Sequence, residues 1–193
     1  MNTKKKIGIL IESDFYENEI YYYQFRFAEE GYEVHFLSRL WGNPSITFHG
    51  HELKAPFFCS ESFENLTDDD LNEYAAFIVP AGMVSDRLRY TEDVGKLPPA
   101  CLFLEKIFAR EDIIKGVICH GLWLFSPVSH LVKGRKMTVH NNLLGDARNY
   151  GVDYVNEDYV IDRDLISART GGHCYLLARA IIQAINRTSV PYH

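Results

Sequence analysis

Four short apolar runs constrain the fold most: "KIGILI" (Lys6–Ile11), "EVHFLS" (Glu33–Ser38), "AAFIVP" (Ala75–Pro80) and "GVIC" (Gly116–Cys119). Each is bounded by polar residues and largely apolar at consecutive positions. A strand that reads this way is covered on both faces, as in a parallel sheet flanked by helices. The intervening segments carry helical patterns. "ENEIYYYQFRFAEEGYEV" places Ile20, Tyr23, Phe27 and Ala28 on one side and stops at Gly31, a natural residue for the position after a helix. "LEKIFARED" and "LLARAIIQAINR" are amphipathic in the same way. Alternating strands and helices predict an α/β three-layer sandwich with a mainly parallel central sheet.

Other segments decorate this frame. "ITFHGHELKA" alternates around His49-Gly50-His51 and predicts a hairpin, Thr67 is positioned to cap a short acidic helix, and "VDYVNEDYVIDRDLISAR" predicts two or three short strands turning at Asp162-Arg163-Asp164. There is no internal repeat and no linker rich in Pro, Gly or Ser. A length of 193 residues suits a single domain over 1–193, with an ordered core at about 5–187 and a loose tail, "TSVPYH".

A net charge of −6 speaks against nucleic acid or an anionic membrane as partner. The four cysteines (Cys59, Cys101, Cys119, Cys174) show neither a CxxC pair nor a zinc spacing. The apolar run after the N-terminal lysines ends at Ile11, too short for a signal segment or a membrane span. A reduced, cytoplasmic protein is expected. His49 and His51 lack the further ligands a metal site needs, so no metal is expected. Tyr21–Tyr23 and other aromatics at helical spacing are core or interface candidates before they are a ligand cage.

The chemistry concentrates at "VICHG", where Cys119 and His120 stand at the carboxyl end of a strand with a helix expected immediately after. Reactive groups in open α/β sheets gather at such ends, and a strand–turn–helix elbow presents its central residue as a nucleophile. A helix N-terminus there favours the thiolate. The alternative is a buried, inert cysteine. Because adjacent residues on an elbow diverge, the His120 ring is expected to point away and His120 to contribute mainly its N–H.

"VICHG", together with "FIVPAG" (Phe77–Gly82), "EEGYEVHFLS", "IVPAGMVSDRLR", "VKGRKMTVH" and "YGVDYVNEDYVIDRDLISAR", resembles the ThiJ/PfpI superfamily over nearly the whole chain. The resemblance implies a flavodoxin-like fold related to class I glutamine amidotransferases. It implies that Cys119 is the nucleophile, that Glu19 is the acid contacting the thiol, and that Gly82 with its neighbour Ala81 and the amide of His120 binds an oxyanion beside Gly121. Glu17 and Glu12 compete with Glu19, which could also be simply a first-turn helix acid. Asp86 stands where one branch carries a glutamate that orients the histidine of an adjacent subunit, so the resemblance implies a homodimer or larger. Asp86 could equally be an ordinary ion-pair partner of Arg87 or Arg89.

Three departures narrow the expectation. Ala81-Gly82 replaces the usual glycine pair, Leu122 and Trp123 replace small residues, and His140 stands near the place of a tyrosine. Trp123 and His140 would shape the pocket, His173 would line it at most, and Cys174 would be a core thiol. The expected function is a cysteine-nucleophile hydrolase, or a glyoxalase- or deglycase-like enzyme, acting on a small carbonyl or amide substrate without a cofactor. The alternative is a redox-sensing or chaperone-like stress-response protein using the same thiol. An amidotransferase subunit is a weaker third, since its downstream His and Glu are not recognisable.

Overall fold

The computed structural model describes residues 5–188, so the last five residues of the "TSVPYH" tail lie outside it. In chain order the strands are β1 (Lys6–Leu10), β2 (Glu33–Ser38), β3 (Ile46–His49), β4 (Pro56–Cys59), β5 (Glu61–Ser62), β6 (Tyr74–Val79), β7 (Ile114–Ile118), β8 (Lys136–Met137), β9 (Asp153–Tyr154), β10 (Tyr159–Asp162) and β11 (Leu165–Ala168). The helices are α1 (Glu17–Glu29), α2 (Asp68–Leu71), α3 (Val84–Leu88), α4 (Pro99–Phe108), α5 (Leu144–Asn149) and α6 (Cys174–Thr188). Seven strands form one sheet in the order β10-β11-β7-β6-β1-β2-β5, parallel throughout except for the edge hairpin β10–β11.

The apolar runs became the sheet's centre for the expected reason. All six residues of β6 and all five of β7 are buried, because helices cover both faces. On one face α6 lies so close that a Cβ added at Gly116 would come within 2.9 Å of Ile181, and α1 packs beside α6. On the other face Phe77 of β6 meets Phe103 of α4 edge-on at 5.1 Å. The chain is therefore an α/β protein with a large, mainly parallel central sheet.

The order places β2 and β6 on opposite sides of β1, so the winding of the sheet reverses there. Ligand sites in such sheets form where the order reverses, beyond the strands' carboxyl ends. Register brings those ends together: Ile9 pairs with Ile78, Val79 with Val117, and Ile118 with Ala168.

Several local expectations are met. α1 ends before Gly31, whose φ is +85°. Thr67 caps α2 reciprocally with Asp70. The turn at Asp162-Arg163-Asp164 joins β10 to β11. The hairpin around His49 is real but wider than expected, since β3 and β4 are joined through residues 50–55. One expectation needs correction: no α-helix follows Cys119. Residues Cys119–Leu131 form a 3₁₀ run broken at Val128 next to Pro127, where the proline ring cannot donate and disrupts the regular turn.

Candidate active site

β7 ends at Ile118, and Cys119 follows with a φ of +58°. Left-handed backbone at a non-glycine residue costs roughly 1–2 kcal/mol and persists only where its surroundings enforce it. Here the turn is pressed onto the end of β6. A Cβ at Gly121 would sit 2.7 Å from the Val79 carbonyl oxygen, so glycine is needed for this approach. Ser85 Oγ then donates to the Gly121 carbonyl at 3.2 Å, tying the turn to α3.

The thiol is not on show: Cys119 is only 8% exposed. Nor does the His120 ring diverge, since its Nδ1 lies 3.2 Å from Cys119 Sγ. The backbone N–H groups of Gly171 and His120 are also directed at the sulfur. Gly171 went unnoticed in the sequence. Its signal is the pair Gly171-Gly172 just after β11, whose Ala168 is the register partner of Ile118. A Cβ at Gly171 would come within 2.5 Å of the Tyr16 ring, so only glycine fits against Tyr16 here.

Glu19 is wholly buried in the first turn of α1 and close enough to Cys119 to raise its pKa. Its Oε2 accepts the Ala81 N–H at 2.9 Å, while Oε1 has no partner of hydrogen-bonding geometry. The Ala81 amide, expected to serve an oxyanion with Gly82, is thus already engaged. Gly82 has a φ of +77°, and a Cβ there would meet the Asp14 carbonyl oxygen at 2.5 Å, so both the angle and the close approach call for glycine. Glu17 is different. It accepts the N–H groups of Glu52 and Leu53 at 3.1 and 2.7 Å, anchoring the β3–β4 loop. Glu12 bonds the Ser13 N–H beside it.

Burial governs the electrostatics. It pushes the Cys119 thiol up to about 11, with the Gly171 and His120 amides pulling downward and Glu19 adding to the rise. This overturns the expected lowering: a 3₁₀ turn aligns few peptide dipoles, and desolvation disfavours the anion. Burial likewise pushes Glu19 up to about 8, against the hydroxyl of Tyr23 and the Ala81 amide. The Glu19 carboxyl is therefore mostly protonated at neutral pH. His120 is shifted below its ordinary value, first by burial and then by His140, so its ring is neutral there.

Outside the sulfur, aromatic and charged groups form a continuous strip. His120 stacks edge-on against Trp123 at 4.8 Å and lies 4.6 Å from the His140 ring. The Arg89 guanidinium sits 5.3 Å over Trp123 and holds Asp86 Oδ1 through Nε and Nη2 at 3.1 and 2.5 Å. Asp86 thus has an ion-pair partner in its own chain. His173 lies in the 3₁₀ turn before α6, with Nδ1 3.0 Å from Thr170 Oγ1, two residues from Gly171. Cys174 is buried, as expected, but it also feels Glu19. His49 and His51 sit on the β3–β4 hairpin, and among the described residues no three His, Cys, Asp or Glu gather as a metal site. None of the described helices is long and apolar enough to cross a membrane.

The arrangement is a buried thiol on a strained turn with one imidazole, one carboxyl group and two backbone donors around it. Such a set can activate sulfur and stabilise charge forming beside it. The chain is similar to known proteins over nearly its whole length. A protein of Pyrococcus furiosus named deglycase PfpI is 28% identical over 183 residues, covering 93% of this chain and 99% of its own. A two-domain protein of Anabaena variabilis with DJ-1/ThiJ/PfpI-like and ferritin-like domains superposes with a TM-score of 0.82 at 23% identity, over 98% of this chain and 50% of that one. A ThiJ/PfpI domain protein of Brachyspira murdochii gives 0.80 at 16% identity, over 98% and 99%. The sequence profile of the DJ-1/PfpI family matches residues 5–184, nearly the whole length, and the chain belongs to that family.

Proposed function

We propose that this protein is an enzyme in which Cys119 adds to the carbonyl carbon of a small substrate, as in deglycase-, glyoxalase- or amide hydrolase-type reactions. One observation carries the reading: Cys119 Sγ stands 3.2 Å from His120 Nδ1 on a backbone held at φ +58°. With a thiol raised to about 11, the resting sulfur keeps its proton. Neutral His120 accepts that proton as the sulfur attacks, which is base-assisted activation rather than a standing thiolate. The Gly171 and His120 amides favour the sulfur's negative charge, and Glu19, protonated with Oε2 already accepting, can donate from Oε1 to the forming adduct. That several relatives are named deglycases supports carbonyl chemistry as the class.

The redox-sensing reading shares the sulfur, but peroxide reacts with thiolate, and burial that holds the thiol protonated counts against it. The reading also takes the protein to be cytoplasmic, consistent with four unpaired cysteines, and at least dimeric. Both Arg89 contacts to Asp86 are made at Oδ1, which leaves Oδ2 for a histidine of a neighbouring subunit. The test is turnover of methylglyoxal and a panel of small amides by wild type and Cys119→Ala. A loss of at least about a hundredfold is expected, in the range that nucleophile activation supplies. Equal turnover by the two proteins contradicts the reading.

A further inference from the structure

Arg169 is the first residue past β11, and its backbone N–H donates to the Asp158 carbonyl at 3.0 Å, one step beyond the pairing of Tyr159 with Ala168. Thr170, Gly171 and Gly172 follow. Two adjacent glycines leave the backbone very free, yet the Gly171 N–H has to meet one sulfur atom. Part of the restraint is local. The His173 N–H donates to the Thr170 carbonyl at 2.8 Å, and His173 Nδ1 lies 3.0 Å from Thr170 Oγ1. These contacts shape the turn without fixing where it sits against Cys119.

The Arg169 side chain supplies the place. It is only 14% exposed and engages all five of its N–H groups. Nε donates to Asp158 Oδ1 at 3.4 Å. Nη1 donates to Asn141 Oδ1 and the Tyr154 hydroxyl, each at 3.0 Å, and Nη2 to Asn156 Oδ1 and the Glu157 carbonyl, each at 2.9 Å. The acceptors come from the turn after His140, from β9 and from the loop before β10. All but Asp158 are uncharged, so the guanidinium acts as a planar fork set into a frame more than as half of an ion pair. That fork anchors the chain two residues before Gly171.

Resting on the nucleophilic reading of Cys119, we propose that Arg169 is a positioning residue: its five-point anchorage holds the Gly171 N–H on Cys119 Sγ, so that the donor is in place when negative charge develops on the sulfur. A donor fixed beforehand needs no reorganisation during the reaction. A displacement of about 1 Å in such a group costs as much as a hundredfold in rate. Glu19 and His120 also face the sulfur, and neither is among the acceptors of Arg169, so their contributions persist when the fork is removed.

Alkylation of Cys119 by iodoacetamide, followed by peptide mapping from neutral to mildly alkaline pH, is the main readout, with kcat and KM for methylglyoxal beside it. Arg169→Met keeps the stem and removes the fork. Alkylation there slows about tenfold at each pH and kcat falls by about as much, with KM little changed. The sign is diagnostic, because general loosening would uncover the buried thiol and speed its alkylation. Arg169→Lys keeps the charge without the fork and behaves like the methionine variant. Adding Gly172→Ala to Arg169→Met recovers part of the rate. Gly172 is outside the left-handed region, a Cβ there has only Thr170 Oγ1 within reach, at 3.5 Å, and alanine narrows the segment's freedom. Should the arginine variants fail to fold, Tyr154→Phe combined with Asn156→Ala removes one acceptor from each terminal nitrogen and slows alkylation about threefold. Unchanged or faster alkylation in Arg169→Met, or in that double variant in its place, overturns the inference and leaves the Cys119 reading standing. Wild-type behaviour of Arg169→Lys, or no recovery with Gly172→Ala, does the same. Equal turnover by wild type and Cys119→Ala takes down the nucleophilic reading and this inference with it.

Discussion

Glu19 Oε2 accepts the backbone N–H of Ala81 at 2.9 Å, which pins a wholly buried carboxyl group from α1 to the chain leaving β6. That bond joins the two strand ends at which the sheet order reverses and fixes which oxygen carries the proton. Cys119, Gly171 and His120 assemble around the other side of the same junction.

The buried carboxyl gives stability a specific pH dependence. Glu19 holds its proton to about pH 8 in the folded protein, mainly through burial, but loses it near its ordinary value of about 4.3 when unfolded. Between those values the folded state binds the extra proton, so stability is full below the window and falls as pH rises through it. At about 1.4 kcal/mol per unit the loss is on the order of 5 kcal/mol. Glu19→Gln keeps an acceptor for Ala81 and removes the titration. Urea unfolding at pH 5 and pH 8 should show wild type losing stability relative to this variant as pH rises; parallel curves would refute a buried, protonated Glu19.

Gly121→Ala should damage the elbow directly. Its methyl group would meet the Val79 carbonyl oxygen at 2.7 Å, and backbone atoms there cannot swing aside as a side chain could. A destabilisation of about 1–3 kcal/mol is expected, as for other overpacked sites, with a matching fall in Cys119-dependent turnover. Thermal melting and kinetics on the same preparation check both.

Lys115 and Asp164 should respond unequally. Lys115 is almost fully buried in β7, where Nζ donates to Asp164 and to the Arg110 carbonyl, and Asp164 is also held by Arg135 at 2.8 Å. Asp164→Ala strands the lysine and should cost about 3–5 kcal/mol. Lys115→Met leaves Asp164 with Arg135 and should cost much less. Equal losses in chemical denaturation would show that the network does not work this way.

The sequence discloses the sheet better than it discloses the site. β6 reads as an apolar run, and β7 does so from Gly116 onward, because burial on both faces is a property of each strand's own residues. Gly31 and Thr67 likewise announce their turns through local backbone chemistry. The Gly171 amide is silent by comparison. It reaches Cys119 only because β11 pairs with β7 in a register that sets Ala168 beside Ile118, some fifty positions apart in the chain. The raised thiol was illegible for a related reason. Desolvation comes from the cover that the whole fold supplies, and Glu19 of a distant helix adds its charge effect, whereas local pattern suggested only a helix start. The His120 ring followed the strained turn toward the sulfur, against the divergence expected of neighbours.

The central claim is that Cys119 is the sulfur that meets a carbonyl substrate, and labelling with chloroacetone tests it most directly. The other cysteines are poor competitors: burial pushes Cys101 and Cys174 up to about 12, and Cys59 is buried and raised as well. Peptide mapping at neutral pH should find one equivalent of label, on Cys119, with activity lost in proportion and labelling slowed in His120→Ala. Label on Cys59, Cys101 or Cys174 while Cys119 stays free, or full activity in protein labelled at Cys119, would contradict the account.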